Sequence, residues 1–290
     1  MQYREGGFGK VYRATWQEND VVVKVLKEGI ADLPIFMGDF LREASTWSKL
    51  NHPNITRFFG FCWTKPSPYI VVEYVNGGSL SSHLKKKDLS LVQRFKLAMD
   101  TVRGIRYLHE YDPPILHRDI KPDNVLVEQE WDQESGQWLL RGKVTDFGTS
   151  RHAIINRLEE EKQKLTAKVG TPPYQAPEVI RGDQNYTRSA DIYSLGITFN
   201  EIYTQEAPYS DRLDLFKSPF RFFKAVVEEG IRPTIPDEMP KNYAALIKKC
   251  WSRRSDKRPD IGKVEQQLKP IVEEQIAQEY SVGKNVLLDI

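Results

Sequence analysis

Leu116 to Asn124 read LHRDIKPDN, nine residues that hold one histidine, three acids or amides and two bases. For a lone HRD tripeptide the ordinary reading is a solvated charged turn. The composition of the whole stretch points elsewhere. Asp119 can take a proton, Lys121 can neutralise a phosphate, and Asn124 can offer an uncharged oxygen to a hard divalent cation, which prefers oxygen ligands. Those are the parts that phosphoryl transfer needs.

The loop has company at fixed distances. DFG (Asp146, Phe147, Gly148) begins 22 residues after Asn124, and APE (Ala176, Pro177, Glu178) a further 30 on. In these motifs the chain clearly resembles the protein kinases, whose signatures occur in this order. The resemblance runs from about Arg4 to Ile271. It implies an α+β, bilobal protein-kinase-like fold, with a small antiparallel β-sheet N-lobe carrying one main helix and a larger, mainly helical C-lobe. Residues 1–271 would be the kinase domain (N-lobe to about 74, hinge about 73–79, C-lobe 80–271) and 272–290 a C-terminal tail.

Composition agrees and excludes alternatives. The 290 residues are 40% hydrophobic and 28% charged, enough for one sizeable core or two modest ones. Lys plus Arg (42) against Asp plus Glu (40) leaves +2, too balanced for a nucleic-acid or membrane surface to be the partner. The two cysteines, Cys62 and Cys250, stand in apolar company (FGFCW, IKKCW) and read as buried thiols of a reducing compartment. There is no long apolar run, and MQYREGGFGK lacks the apolar core of a secretion signal, so a cytoplasmic location is expected.

The first third alternates in strand fashion. GGFGKV puts Gly6, Gly7, Phe8 and Gly9 before Val11, a loop whose backbone N–H groups could approach phosphates; Arg4 stands where the family has its first glycine. VYRATW, a turn over Gln17 to Asp20, and VVVKVL read as two antiparallel strands with Lys24 inside the second. Alone, such a lysine would snorkel from an edge. A helical spacing over Gly38 to Leu50 carries Glu43, and the resemblance implies that Glu43 holds Lys24 on the α and β phosphates of ATP. Phe58 to Cys62 and Tyr69 to Tyr74 complete five strands. By the same resemblance Val72 is the gatekeeper and Glu73 to Val75 the adenine-binding hinge. Ser79 caps a helix and contacts the ribose, and Val11, Val22 and Leu126 sandwich the adenine.

Further on, Leu91, Phe95, Leu97, Ala98, Val102, Ile105 and Leu108 mark a long core helix that delivers the LHRDIKPDN loop. NVLVE and GKVTD read as short strands joined by a long connection, Gln129 to Gly142, whose Trp131 and Trp138 pack it together. INRLEEEKQKL, in the segment from Asp146 to Glu178, reads as a solvated helix or loop. Tyr186 to Thr204 is apolar nearly throughout and reads as a buried helix, in which Asp191 must be paired; the resemblance supplies the backbone of the LHRDIKPDN loop. Helices follow at Pro219 to Glu229, Asn242 to Trp251 and Ile261 to Glu273, and Arg258 is expected to pair with Glu178.

The implied reaction moves the γ-phosphate of ATP to a protein hydroxyl. Asp146 and Asn124 would hold Mg²⁺, Asp119 would be the base, and Lys121 would steady the transferring group, so ATP, Mg²⁺ and protein substrates are the expected cofactors and partners. Lys121 two residues after Asp119, and Thr171 in GTPPY, favour Ser/Thr substrates; dual specificity stays open. GGFGKVYRATW, HPNI (His52 to Ile55) and the insertion are similar to the tyrosine-kinase-like group, near the mixed-lineage kinases. A pseudokinase is the rival reading, from Arg4, Val22 and Gln175, and a small-molecule kinase a weaker one. Thr166 is the expected activating phosphosite. With three residues before Arg4, the first strand is expected to be cut short, leaving Val21 to Val25 unmatched unless another segment, such as Val282 to Ile290, substitutes.

Overall fold

Strand-forming alternation builds the first lobe of the computed structural model, which describes residues 2–5, 9–26, 34–63, 68–133, 136–147, 151–152, 171–182 and 187–281. Gln2–Glu5 (β1), Gly9–Trp16 (β2), Asn19–Leu26 (β3), Phe58–Cys62 (β4) and Tyr69–Glu73 (β5) form one antiparallel sheet in the order β1-β2-β3-β5-β4. The β2–β3 turn is tighter than the expected Gln17 to Asp20. Only Gln17 and Glu18 lie in it, both at positive φ (46° and 65°), the twist that a two-residue hairpin needs.

An N-terminal expectation is corrected. Val21 to Val25 are not left unmatched, because β3 is a central strand, paired with β2 on one side and with β5 on the other. Arg4 stands within β1 opposite Val11, and a paired strand position accepts any side chain. Directly opposed residues share a face, so Val11, Val22, Lys24, Ile70 and Val72 line one side of the sheet.

Pro34–Trp47 (α1) packs against this lobe and starts four residues before the expected Gly38. Proline suits a first helical position, where the missing N–H has no intrahelical partner to lose. Phe40, Ala44 and Trp47 are buried at the spacing of one helix face, and the Trp47 indole N–H donates to the Thr56 carbonyl at 2.6 Å.

The second lobe is mainly helical. Leu80–Lys86 (α2) is capped by Ser79, whose hydroxyl accepts from Ser82 N. Leu91–Glu110 (α3) begins with a reciprocal box between Ser90 and Gln93 and buries Phe95, Leu97, Ala98, Val102, Ile105 and Leu108. It leads into Ile115–Leu116 (β6), which pairs with the β9 strand at Arg151–His152. After the loop come Val125–Asp132 (β7) and Gln137–Val144 (β8). These are eight-residue strands with a short turn, which corrects the expectation of short strands and a long connection. Gln129 to Gly142 is mostly hairpin; Trp131 sits opposite Trp138 with ring centroids 5.3 Å apart, the cross-strand packing expected of them.

Pro177–Arg181 (α4) and Arg188–Thr204 (α5) follow, the latter buried from Ala190 to Ile202. Pro219–Phe223 (α6) then passes into a π-helical turn over Lys224–Glu228, where one helix was expected. Lys241–Cys250 (α7) and Ile261–Ser281 (α8) complete the lobe. The α8 helix continues past Glu273 with Pro270 inside it, because Val272 and Ile276 still pack on the core. INRLEEEKQKL and the tail 282–290 lie outside the described residues. Cys250 is buried as expected, whereas Cys62 is only half-buried; neither forms a disulfide.

One apolar core joins the lobes, from Phe40, Trp47, Ile70 and Val72 through Phe147 to Phe95 and Val102 of α3 and Leu195 and Phe199 of α5. Each fully buried aliphatic or phenyl side chain contributes about 1.5–3 kcal/mol. No described helix is long and apolar enough to cross a membrane.

Candidate active site

The LHRDIKPDN loop is held from below by one carboxylate. Asp191, fully buried near the start of α5, accepts from His117 N and Arg118 N at 2.9 Å each and lies 2.9 Å from His109 Nε2 at the end of α3. Burial alone would push the Asp191 carboxyl up. The His109 hydrogen bond and charge and the Arg118 N–H outweigh it, and the group is held below the usual carboxylate range. The two backbone bonds fix Arg118 at φ 71°, a left-handed conformation that a residue with a long side chain rarely adopts. The expected pairing of Asp191 with the loop backbone is therefore present. His109 is the partner that the sequence did not announce.

His117 is also buried. Its Nδ1 accepts from Asp119 N at 3.3 Å and its Nε2 faces the Thr145 carbonyl at 3.1 Å, which places the proton on Nε2. The ring fixes Asp119 relative to β8 and packs 5.5 Å from Phe147.

Asp119 gathers donors. Lys121 Nζ lies 2.7 Å away, Asn124 Nδ2 3.0 Å, and Thr171 gives both its N–H (3.0 Å) and its hydroxyl (2.9 Å). Lys121 Nζ also reaches the Thr171 hydroxyl. With its amide nitrogen donating to Asp119, Asn124 keeps its side-chain oxygen for another partner.

Across the cleft, Lys24 Nζ lies 3.7 Å from Glu43 and 3.6 Å from Asp146. Burial would lower the Lys24 ammonium, but the Asp146 and Glu43 carboxylates outweigh it and raise it. Lys24 in turn holds the Asp146 carboxyl below the usual range, while burial keeps Glu43 above it. Glu43 Oε1 is buried with no hydrogen bond, and Asp146, at φ 67°, leaves its carboxylate half-exposed. An ammonium between two acids and an open carboxylate suit polyanionic phosphates with a hard cation. Phe147 ties the two sides together, 5.0 Å from Trp47, which lies one helical turn beyond Glu43.

The apolar residues expected around an adenine fall together. Val72 is buried on the Lys24 face with Val22 opposite it, Val75 is buried, and Leu126 bridges to Ser79. The Ser79 hydroxyl is engaged in capping. Glu73 does something that the sequence did not reveal: its carboxylate accepts from Arg57 N (2.7 Å) and from Lys143 Nζ on β8 (2.9 Å), pinning the hinge to the second lobe. Lys143 is also 3.1 Å from Glu128. Only a fold that brings residues 70 apart into contact could show this. Arg258 grips Glu178 with two bonds of 2.6 and 2.8 Å, as expected. Gly6, Gly7, Phe8, Gly148 and Thr166 lie outside the described residues, and Gly9 opens β2.

A sheet lobe over a helical lobe, with Lys24, Glu43, Asp119, Asn124 and Asp146 between them, defines the bilobal kinase class. The chain belongs to the protein kinase domain family, whose sequence model matches residues 4–268. It is similar to three proteins of Dictyostelium discoideum: dual specificity protein kinase splA (33% identical, 96% of this chain and 12% of that protein), dual specificity protein kinase shkA (33%, 92% and 48%) and probable serine/threonine-protein kinase drkB (37%, 89% and 34%). The chain spans less than half the length of each.

Proposed function

We propose that this chain is an ATP-dependent protein kinase that transfers the γ-phosphate to serine and threonine hydroxyls, working from the cytoplasm. One observation carries the reading: Asp119, Lys121, Asn124 and Thr171 form a single hydrogen-bonded cluster, facing a Lys24 ion pair with Glu43 and Asp146. In it, Lys24 binds the α and β phosphates and Glu43 fixes Lys24. Asp146 and the Asn124 oxygen hold Mg²⁺, which when bound neutralises phosphate charge. Asp119 orients the acceptor hydroxyl and takes its proton, and Lys121 stabilises charge on the moving phosphoryl group.

Gly6, Gly7, Phe8 and Gly9 cover the phosphates in this proposal. Val11, Val22 and Leu126 enclose the adenine, the Glu73 to Val75 backbone binds its edge, Val72 closes the back, and Ser79 faces the ribose. The domain divides into an N-lobe to 74, a hinge over 73–79 and a C-lobe over 80–271. Placement in the tyrosine-kinase-like group, near the mixed-lineage kinases, rests on the GGFGKVYRATW and HPNI stretches. Two of the relatives named above are described as dual specificity kinases, which favours tyrosine as a second acceptor.

A radiolabelled ATP assay on poly-Ser/Thr and poly-Tyr substrates, run beside Asp119→Asn, tests the proposal. Transfer by wild type that Asp119→Asn lowers at least about 10²-fold supports it. ATP binding without transfer by wild type would make the chain a pseudokinase.

A further inference from the structure

Lys143 is a cation with almost no access to water. It is 8% exposed on β8, and a buried ammonium is costly unless carboxylates surround it. Glu73 Oε2 lies 2.9 Å from its Nζ, Glu73 Oε1 3.1 Å and Glu128 Oε1 3.1 Å. Glu128 belongs to the same hairpin, so that pairing is local. Glu73 belongs to the hinge and is itself mostly buried. Its carboxylate also accepts from Arg57 N at 2.7 Å, so a backbone donor of the first lobe and an ammonium of the second hold one side chain between them.

The place of Lys143 on its strand gives this pairing a reach. Lys143 stands directly opposite Leu126 across the β7–β8 pair, and opposed residues share a face, so it rises on the side of the hairpin that Leu126 and Glu128 occupy. Three residues further along the chain is Asp146, at most about 10 Å away at extended spacing, with its carboxylate 3.6 Å from Lys24. The stretch between them is anchored to the first lobe, because Val144 N donates to Asn54 O (2.9 Å) and Thr56 N to Val144 O (3.0 Å). One short run of chain therefore reaches the hinge through Lys143 and the Lys24 ion pair through Asp146. We propose that Lys143 is a positioning residue for the nucleotide: by holding the Glu73 carboxylate it fixes the hinge backbone against β8, and so sets the span between the base end of the cleft and Asp146. This inference rests on the reading of Glu73 to Val75 as the adenine-binding backbone. Without the ammonium, two carboxylates that shared one cation face each other, and Glu73 is released toward water with the hinge backbone attached to it.

Calorimetric titration of the whole chain with ATP and Mg²⁺, and separately with adenosine, measures the effect whether or not phosphoryl transfer occurs. Lys143→Met keeps the apolar stem and removes the charge. It is expected to weaken both ligands by a similar factor, at least about fivefold, because the base end is what moves. Where transfer is measured, KM for ATP rises more than kcat falls. Glu73→Gln keeps an oxygen for Arg57 N and is expected to weaken both ligands at least about threefold, which carries the test even if Lys143→Met folds poorly. The double variant is expected to bind no more weakly than Lys143→Met, since either change releases the same hinge. A cation that served only the fold would lower the melting temperature and leave the affinity of the folded protein as it was. ATP affinity equal to wild type in folded Lys143→Met or in Glu73→Gln, loss of ATP with adenosine unaffected, or additive losses in the double variant would each overturn the proposal while the kinase reading stands. Wild type that binds neither ligand would overturn both.

Discussion

Two buried acids make opposite demands on pH. Asp191 is held below its ordinary range by His109 and the loop N–H groups, so its contribution to stability is present above the unfolded pKa of about 4 and is lost as pH falls through the lower folded value. Asp191→Ala leaves His117 N and Arg118 N without their acceptor and is expected to cost about 3–5 kcal/mol in denaturant unfolding. Glu201 is the reverse case. It is buried and accepts from the Tyr174 hydroxyl at 2.6 Å, and burial raises its pKa to about 7. The folded state therefore keeps a proton that the unfolded state has released, and stability falls as pH climbs from about 4.5 to about 7. Glu201→Gln should flatten that limb, which spans on the order of 3 kcal/mol; an unchanged pH profile of unfolding would show that the carboxylate is already ionised in the fold.

At the scale of elements, the hinge depends on one close approach. A Cβ at Gly77 would lie 2.3 Å from the Val127 carbonyl oxygen and 2.8 Å from Gln129, so Gly77→Ala must push the hinge off β7. The expected cost is about 1–3 kcal/mol, with a rise in KM for ATP, measured by thermal unfolding and by steady-state kinetics. Ser90→Ala removes a helix cap instead and should cost about 1 kcal/mol with no change in KM. The contrast separates an element that shapes the cleft from one that only supports it. The sequence announced the Ser90 end through the apolar stripe of α3. It gave no sign that Gly77 lies against β7, since the contact crosses 50 residues of chain.

For the whole molecule, the decisive comparison is between losing chemistry and losing the fold. Asp119→Asn keeps the side-chain shape and one oxygen to accept from Thr171, but not the oxygen that Lys121 and Asn124 share, so it should keep the fold while losing at least about 10²-fold in transfer. Arg258→Ala removes a buried guanidinium that holds Glu178, Ser189 O and Ser252 O together. It is expected to cost about 3–5 kcal/mol and to lower activity only through the loss of folded protein. If Arg258→Ala kept full stability in denaturant titration, the lower lobe would be held together by packing alone.

The sequence by itself determined the family, the order of the elements and the residues that meet in the cleft. Those follow from local spacing: strand alternation around Lys24, the apolar stripe of α3, and the dense LHRDIKPDN and DFG motifs. Where inference stayed local it held, as for Phe58–Cys62, Tyr69–Glu73 and the capping of α2 by Ser79. It failed where pairing between distant residues decides the outcome. Charged and polar residues from Gln129 to Gly142 read as a connection, yet cross-strand pairing extends the hairpin through them. Val21 to Val25 read as unmatched because the first strand is short, yet β2 and β5 pair with them on both sides. The Glu73–Lys143 pin, the His109 support of Asp191 and the Thr171 cap on Asp119 were decided only by tertiary structure. A buried charge finds its partner by proximity in space, and spacing along the chain carries no record of that.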